Sequence, residues 1–327
     1  MRRALRPLAI IAATLASALA VGGAAAQEYP TRPIRMIVAF SAGGTTDYVA
    51  RLLADRVKAV LGQPVVIENK PGANGAIGAD YVAKAEPDGY TLFFSTAGAL
   101  SIIPNMRTDL PYDPLRSFTP VLPTARNTVL FAVNTGLGVS TAQEMIARAK
   151  TTPGGLTVAV TGIGAISHLA IEMLQSAAKV KLQAVPYRGA GPAVSDLIGG
   201  QVNAMSAEVP VLMAQIKAGK AKILAVAAQS RSDVLPDVPT WSELGYPEVV
   251  ADNWSGVLAP PKTPAAIVGK LNAAFNAVVH DPDVRRRLAD VGVSTIGGTP
   301  ADLTALITSE TARWHKVVEE TGVKIER

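Results

Sequence analysis

Residues 34–62 read IRMIVAFSAGGTTDYVARLLADRVKAVLG, and the fold is decided inside this stretch. All of residues 34–40 but Arg35 are apolar, the pattern of a strand buried on both faces. From Asp47 onward Val49, Leu52, Leu53, Val57, Val60 and Leu61 recur at helical spacing, and Gly62 stands where a left-handed residue would stop that helix. A buried strand that passes through a short loop into an amphipathic helix is half of a βαβ unit, so the stretch predicts a parallel sheet.

The same alternation extends outward. Residues 65–68 form a second strand, Gly72, Gly75 and Gly78 lead into another helix ending near 86–89, and 90–94 is a third strand. Beyond Asn134 the units recur: strand 156–161, helix 167–178 with Leu169, Met173 and Leu174 inward, and strand 182–185. Pro192 and Pro210 each open a helical stretch, and Gly199 and Gly219 each stand just past its end. Residues 254–261 read as a crossing strand, after which Ile267, Leu271, Val278, Leu303, Leu306, Ile307, Trp314 and Val318 predict helix to the end. The expected fold class is α/β with two lobes, residues 27–129 with 252–327 forming one and 130–251 the other, and two strands crossing between them as a hinge.

Arg2, Arg3 and Arg6, an apolar run over 8–21 and the triplet Ala24-Ala25-Ala26 predict a signal peptide, residues 1–26, cleaved after Ala26. The expected location is therefore the periplasm. Roughly 300 residues remain, enough for two lobes that each bury a core. The chain has no cysteine, which excludes a lipid-anchored N-terminus, disulfides and thiolate metal sites. The formal net charge of +5 owes three of its units to the leader arginines, so nucleic acid is not an expected partner. His168, His280 and His315 fall on different elements with no second histidine at helical spacing from any of them, so no metal site is expected. No G-x-S-x-G elbow or other catalytic constellation is present, and neither catalysis nor a cofactor is expected.

Two loops could bind something. Residues 41–47 offer small residues and hydroxyls but no cation, at the carboxyl end of a strand and facing a helix N-terminus, where free N–H groups favour an anion. A tight βα turn capped by Thr46 or Asp47 accounts for the same residues without a ligand. Residues 161–168 repeat the arrangement. They superficially match G-x-G-x-x-G, but Ser167 replaces the third glycine and no acid lies near 185 to hold a ribose. A carboxylate gripped by N–H groups and hydroxyls fits better. His168 is expected to hydrogen-bond near the start of its helix. Arg188 can reach an anion or remain a solvated turn residue, and Trp254 can line the cleft or pack the hinge.

Residues 40–51 (FSAGGTTDYVAR), 65–78 (VVIENKPGANGAIG), 86–92 (EPDGYTL), 185–202 (VPYRGAGPAVSDLIGGQV), 235–240 (LPDVPT) and 258–272 (LAPPKTPAAIVGKLN) together resemble the substrate-binding proteins of tripartite tricarboxylate transporters, the Bug family. The likeness runs in order along essentially the whole mature chain. It implies the two-lobe Venus-flytrap fold of periplasmic binding proteins. It also implies that Ser41, Ala42, Gly43, Thr45, Thr161, Gly162, Ile163, Gly164 and Ser167 lie near one ligand carboxylate. Thr96, Ala97, Ser206, Ala207 and Glu208 correspond to positions that meet the rest of the ligand. Ser41 stands where many members carry Pro, and Asn203 where an Asp is common. Family ligands include aliphatic di- and tricarboxylates, aromatic carboxylates, acidic amino acids and nicotinate-like acids. The expectation is a monomer that captures a small carboxylate, a dicarboxylate first of all, and delivers it to transporter membrane subunits. A membrane sensor is the alternative partner, and a nucleotide-dependent enzyme the alternative activity.

Overall fold

A computed structural model describes residues 29–232 and 234–323; the expected signal peptide, 1–26, lies outside them. Strand β1 (Ile34–Val38) is central to a parallel set, with β2 (Val65–Asn69) on one side and β3 (Thr91–Thr96) on the other. Helix α1 (Thr45–Leu61) connects β1 to β2, and α2 (Ala76–Ala83) leads to β3. Val49, Leu53 and Val57 form the inward stripe of α1. Burying each stabilises the sheet–helix contact by about 1.5–3 kcal/mol. Gly62 ends α1 at φ 70°, its N–H donating to the Lys58 carbonyl, a conformation that glycine adopts without a Cβ clash.

A second parallel set mirrors the first. After β4 (Thr119–Asn134) and α3 (Ala142–Thr151), β5 (Leu156–Val160) lies between β6 (Leu182–Pro186) and β7 (Ala204–Glu208). Helix α4 (Ile166–Ala178) links β5 to β6, and α5 (Ala190–Ile198) links β6 to β7. Helix α6 (Val209–Lys217), β8 (Ala221–Val226), β9 (Asp252–Ala259), α7 (Ala265–Val279), α8 (Pro282–Ala289), β10 (Val293–Thr295) and α9 (Pro300–Thr321) complete the described chain.

The long strand β4 joins the sets. Up to Thr128 it pairs antiparallel with β9 and β10; from Val129 on it pairs with β7 and β8. The resulting order, β2-β1-β3-β9-β4-β7-β5-β6, is the curled mixed sheet of a two-lobe binding protein. The second half of β4 packs through Phe131, whose ring meets Trp241 edge-on at 5.1 Å. Trp254 is buried in the same core and does not line the cleft, so of its two readings the packing one is correct.

Three features depart from expectation. The carboxy-terminal part is not wholly helical, because residues 293–295 add to β4; three residues are too few to display an alternating pattern. Strand β8 pairs with the far half of β4, where the sequence reading placed no strand. Strand β4 itself carries Pro120 and Pro123, which cannot donate to a ladder, and its register to β9 shifts beside each of them.

Candidate ligand cleft

Strand β1 lies between neighbours reached by connections on opposite sides, and so does β5. A loop leaving the carboxyl end of such a strand opens into a crevice, the usual place for a ligand in an open α/β sheet. Here both crevices face one cleft of about 660 Å³. Ser41, Ala42, Gly43 and Thr45 enter it from the loop after β1, Thr96 from the end of β3, and Thr161, Gly162 and Ile163 from the loop after β5. Glu208, at the end of β7, lines it too.

The first loop is held by a charged clamp. Asp47 is buried, and its Oδ2 accepts from the Gly43 N–H and from Arg51 Nε, both at 2.9 Å. Its Oδ1 accepts from Asn69 Nδ2 at 2.8 Å, and the same amide nitrogen reaches the Phe40 carbonyl. Burial opposes ionisation of Asp47, but the bonds from Arg51, Gly43 and Asn69 outweigh it and hold the carboxyl below the ordinary carboxylate range. Neither Thr46 nor Asp47 is the N-cap: Gly44 occupies that position without a side-chain cap, and Asp47 acts from the first turn back onto Gly43. Among the described residues, the N–H groups of Ala42, Thr45 and Thr46 therefore have no partner, and Thr45 Oγ1 is buried without one. Gly43 holds φ 81°, a turn that a side chain would strain.

The second loop is held by neutral groups. Ser167 Oγ accepts from the Thr161 N–H at 3.1 Å and shares a hydrogen bond with Thr161 Oγ1 at 2.9 Å. His168 Nδ1 accepts from the Gly164 N–H at 3.1 Å, which requires the tautomer protonated on Nε2, the nitrogen facing Glu172 at 3.5 Å. Among the described residues, the N–H groups of Gly162 and Ile163 have no partner. Across the cleft Asn74, in a left-handed turn at φ 50°, donates from Nδ2 to the Gly164 carbonyl at 2.9 Å.

The structure thus brings nine of the fourteen expected contact residues to one cleft. Ala97, Gly164, Ser167, Ser206 and Ala207 lie behind its surface, buried; Gly164 and Ser167 shape the second loop from within. Sequence reasoning missed Asn74 and its turn, although Gly72 and Gly75, which flank it at positive φ, were the available signal. It also missed Asn253 on β9, which donates from Nδ2 to Glu208 Oε1 at 3.0 Å. Burial pushes the Glu208 carboxyl above its ordinary range, the Asn253 bond and a backbone N–H only partly offsetting that. Arg188 is the one lysine or arginine among the described residues lining the cleft; it is exposed and has no hydrogen bond or ion pair there.

Residues 49–323 match the family of the tripartite tricarboxylate transporter family receptor. The chain belongs to that family. It is 38% identical to Protein BugT of Bordetella pertussis over 98% of both chains. Among solved structures, the adipate-bound R. palustris protein Rpa4515 is 35% identical with a TM-score of 0.87, covering 90% of this chain and 99% of its own. Malate-bound MatC of Rhodopseudomonas palustris is 36% identical with a TM-score of 0.82, covering 89% and 100%. The family's members are periplasmic solute-binding receptors, not enzymes, so the chain is a periplasmic receptor and the reading of its glycine loops as a nucleotide site is set aside.

Proposed function

We propose that this receptor captures a small dicarboxylate between the loops after β1 and β5 and presents it, closed, to the membrane subunits of a tripartite tricarboxylate transporter. One observation carries the reading: two loops from separate parallel sets face one cleft with N–H groups and a threonine hydroxyl that no protein group satisfies. A buried hydroxyl without a partner, Thr45 Oγ1, is costly, and a carboxylate would take it together with the free N–H groups. Each such charged hydrogen bond contributes about 1.5–3 kcal/mol, so four or five suffice for micromolar affinity after association costs. In this reading Arg188, exposed and lining the cleft, meets a second carboxylate. The adipate and malate bound by two relatives at 35–36% identity support the class.

In this reading residues 27–129 with 252–327 and residues 130–251 move as two lobes, because β4 exchanges partners between Thr128 and Val129. A ligand that touches both sides closes them by differential affinity. The protein works as a monomer freed of residues 1–26 by cleavage. Calorimetric titration with C4 to C6 diacids, citrate, aromatic diacids and acidic amino acids tests the ligand class: saturable binding of a diacid is expected, and binding of none contradicts the proposal. Capture of transporter subunits from detergent-solubilised membranes only when the ligand is present tests the partner.

A further inference from the structure

The lining of the cleft combines two opposite chemistries. The loops after β1 and β5 offer donors. The wall formed by Glu208 and Asn253 offers acceptors: Asn253 spends its Nδ2 on Glu208 Oε1, and its Oδ1 is then buried with no partner, on a residue only 6% exposed that lines the cleft. Glu208 is the one carboxylate among the described residues lining the cleft, and no basic group pairs with it there. A ligand's plain carboxylate or methylene placed against this wall would leave Asn253 Oδ1 unsatisfied, and a carboxylate would add repulsion from Glu208.

We propose that Glu208 and Asn253 form an acceptor corner that selects, among small carboxylates, those carrying a hydroxyl or ammonium donor on the carbon chain. This rests on the reading of the cleft as a carboxylate site and narrows it. The donor end of the ligand points to Glu208 Oε and Asn253 Oδ1 while its carboxylate occupies the N–H groups of the two loops, so the ligand is oriented as well as held. The half-buried position of Glu208 agrees with this assignment: a carboxyl group that burial disfavours as a charge gains from a ligand donor added to those of Asn253 and the backbone.

Succinate, malate in both enantiomers and aspartate differ only in bearing hydrogen, hydroxyl or ammonium on one carbon, and titrating the purified protein with each isolates the corner. Malate or aspartate is expected to bind at least about tenfold more tightly than succinate, the worth of one hydrogen bond to a charged group. Whichever of the two is tighter identifies the donor as neutral or cationic. In Glu208→Gln, whose amide both donates and accepts, that margin is expected to shrink below about threefold. Succinate binding as tightly as the best substituted acid would overturn the corner while leaving the carboxylate site standing, and so would a margin that persists in the folded variant. Binding of no carboxylate would overturn both. The wild-type series stands alone should Glu208→Gln fail to fold.

Discussion

The loop after β1 and the loop after β5 hold the same place in mirrored parallel sets, yet they are fastened differently. The first is clamped by an ionised, buried Asp47 that gathers Gly43, Arg51 and Asn69. The second is fastened by uncharged groups, Ser167 to Thr161 and His168 to Gly164. In both, the side chain that fastens the loop comes from the following helix and reaches back to a loop N–H, while the N–H groups of Thr45 and Thr46 in one loop and of Gly162 and Ile163 in the other remain free for an anion. The difference teaches that one side of the cleft is rigidified by charge and the other by weaker contacts, one of them, the Asn74 bond to Gly164, spanning the cleft.

The largest expected effect follows from removing the charged clamp. Asp47→Ala leaves the Gly43 N–H without its partner and Asn69 with one bond fewer, and should lower stability by about 1–3 kcal/mol, Arg51 contributing little because it is half-exposed. Malate affinity should fall about 100-fold or more as the first loop loses its shape. Chemical denaturation and calorimetry check the two. Because Asp47 ionises below its ordinary value of 3.8 in the fold, its stabilising contribution is complete above that pH and lost as the pH falls through the lowered folded value. Asp47→Asn should therefore lose less stability than wild type on acidification below about pH 4.

Ser167→Ala acts on the neutral fastening. About 1 kcal/mol of stability and about tenfold in malate affinity are expected, read by the same methods. A loss equal to that of Asp47→Ala would break the contrast between the loops. Smallest is Arg188→Ala, a change at the exposed rim. Stopped-flow association with malate should slow a few-fold at low salt and match wild type at high salt, since screened rim charges act on encounter.

The segment from β1 to Gly62 was legible because the signals are local: an apolar run, a 3.6-residue stripe and a glycine stop. His168 was rightly placed as a hydrogen-bonding residue near a helix start, a contact four residues long. Both loops were legible as carboxyl-end loops for the same reason. What the sequence hid joins distant residues. Asn69 reaches Asp47 across 22 positions and Asn253 reaches Glu208 across 45, and neither pairing leaves a trace in spacing. Asp47 was visible only as one of two candidate caps, with Thr46, in the ligand-free reading of the turn, since an acid at a helix start has that local signature; its tie to β2 depends on the sheet. Strand β4 was hidden by Pro120 and Pro123, which argue against a ladder, and it is tolerated because the register shifts around them.

Backbone hydrogen exchange with and without saturating malate tests the central claim most directly, because it reports on the amides said to hold the carboxylate. Slowed exchange is predicted within residues 41–46 and 161–165 together. Protection confined to one of these loops, or absent from both while malate is bound, would contradict a carboxylate held jointly across the cleft.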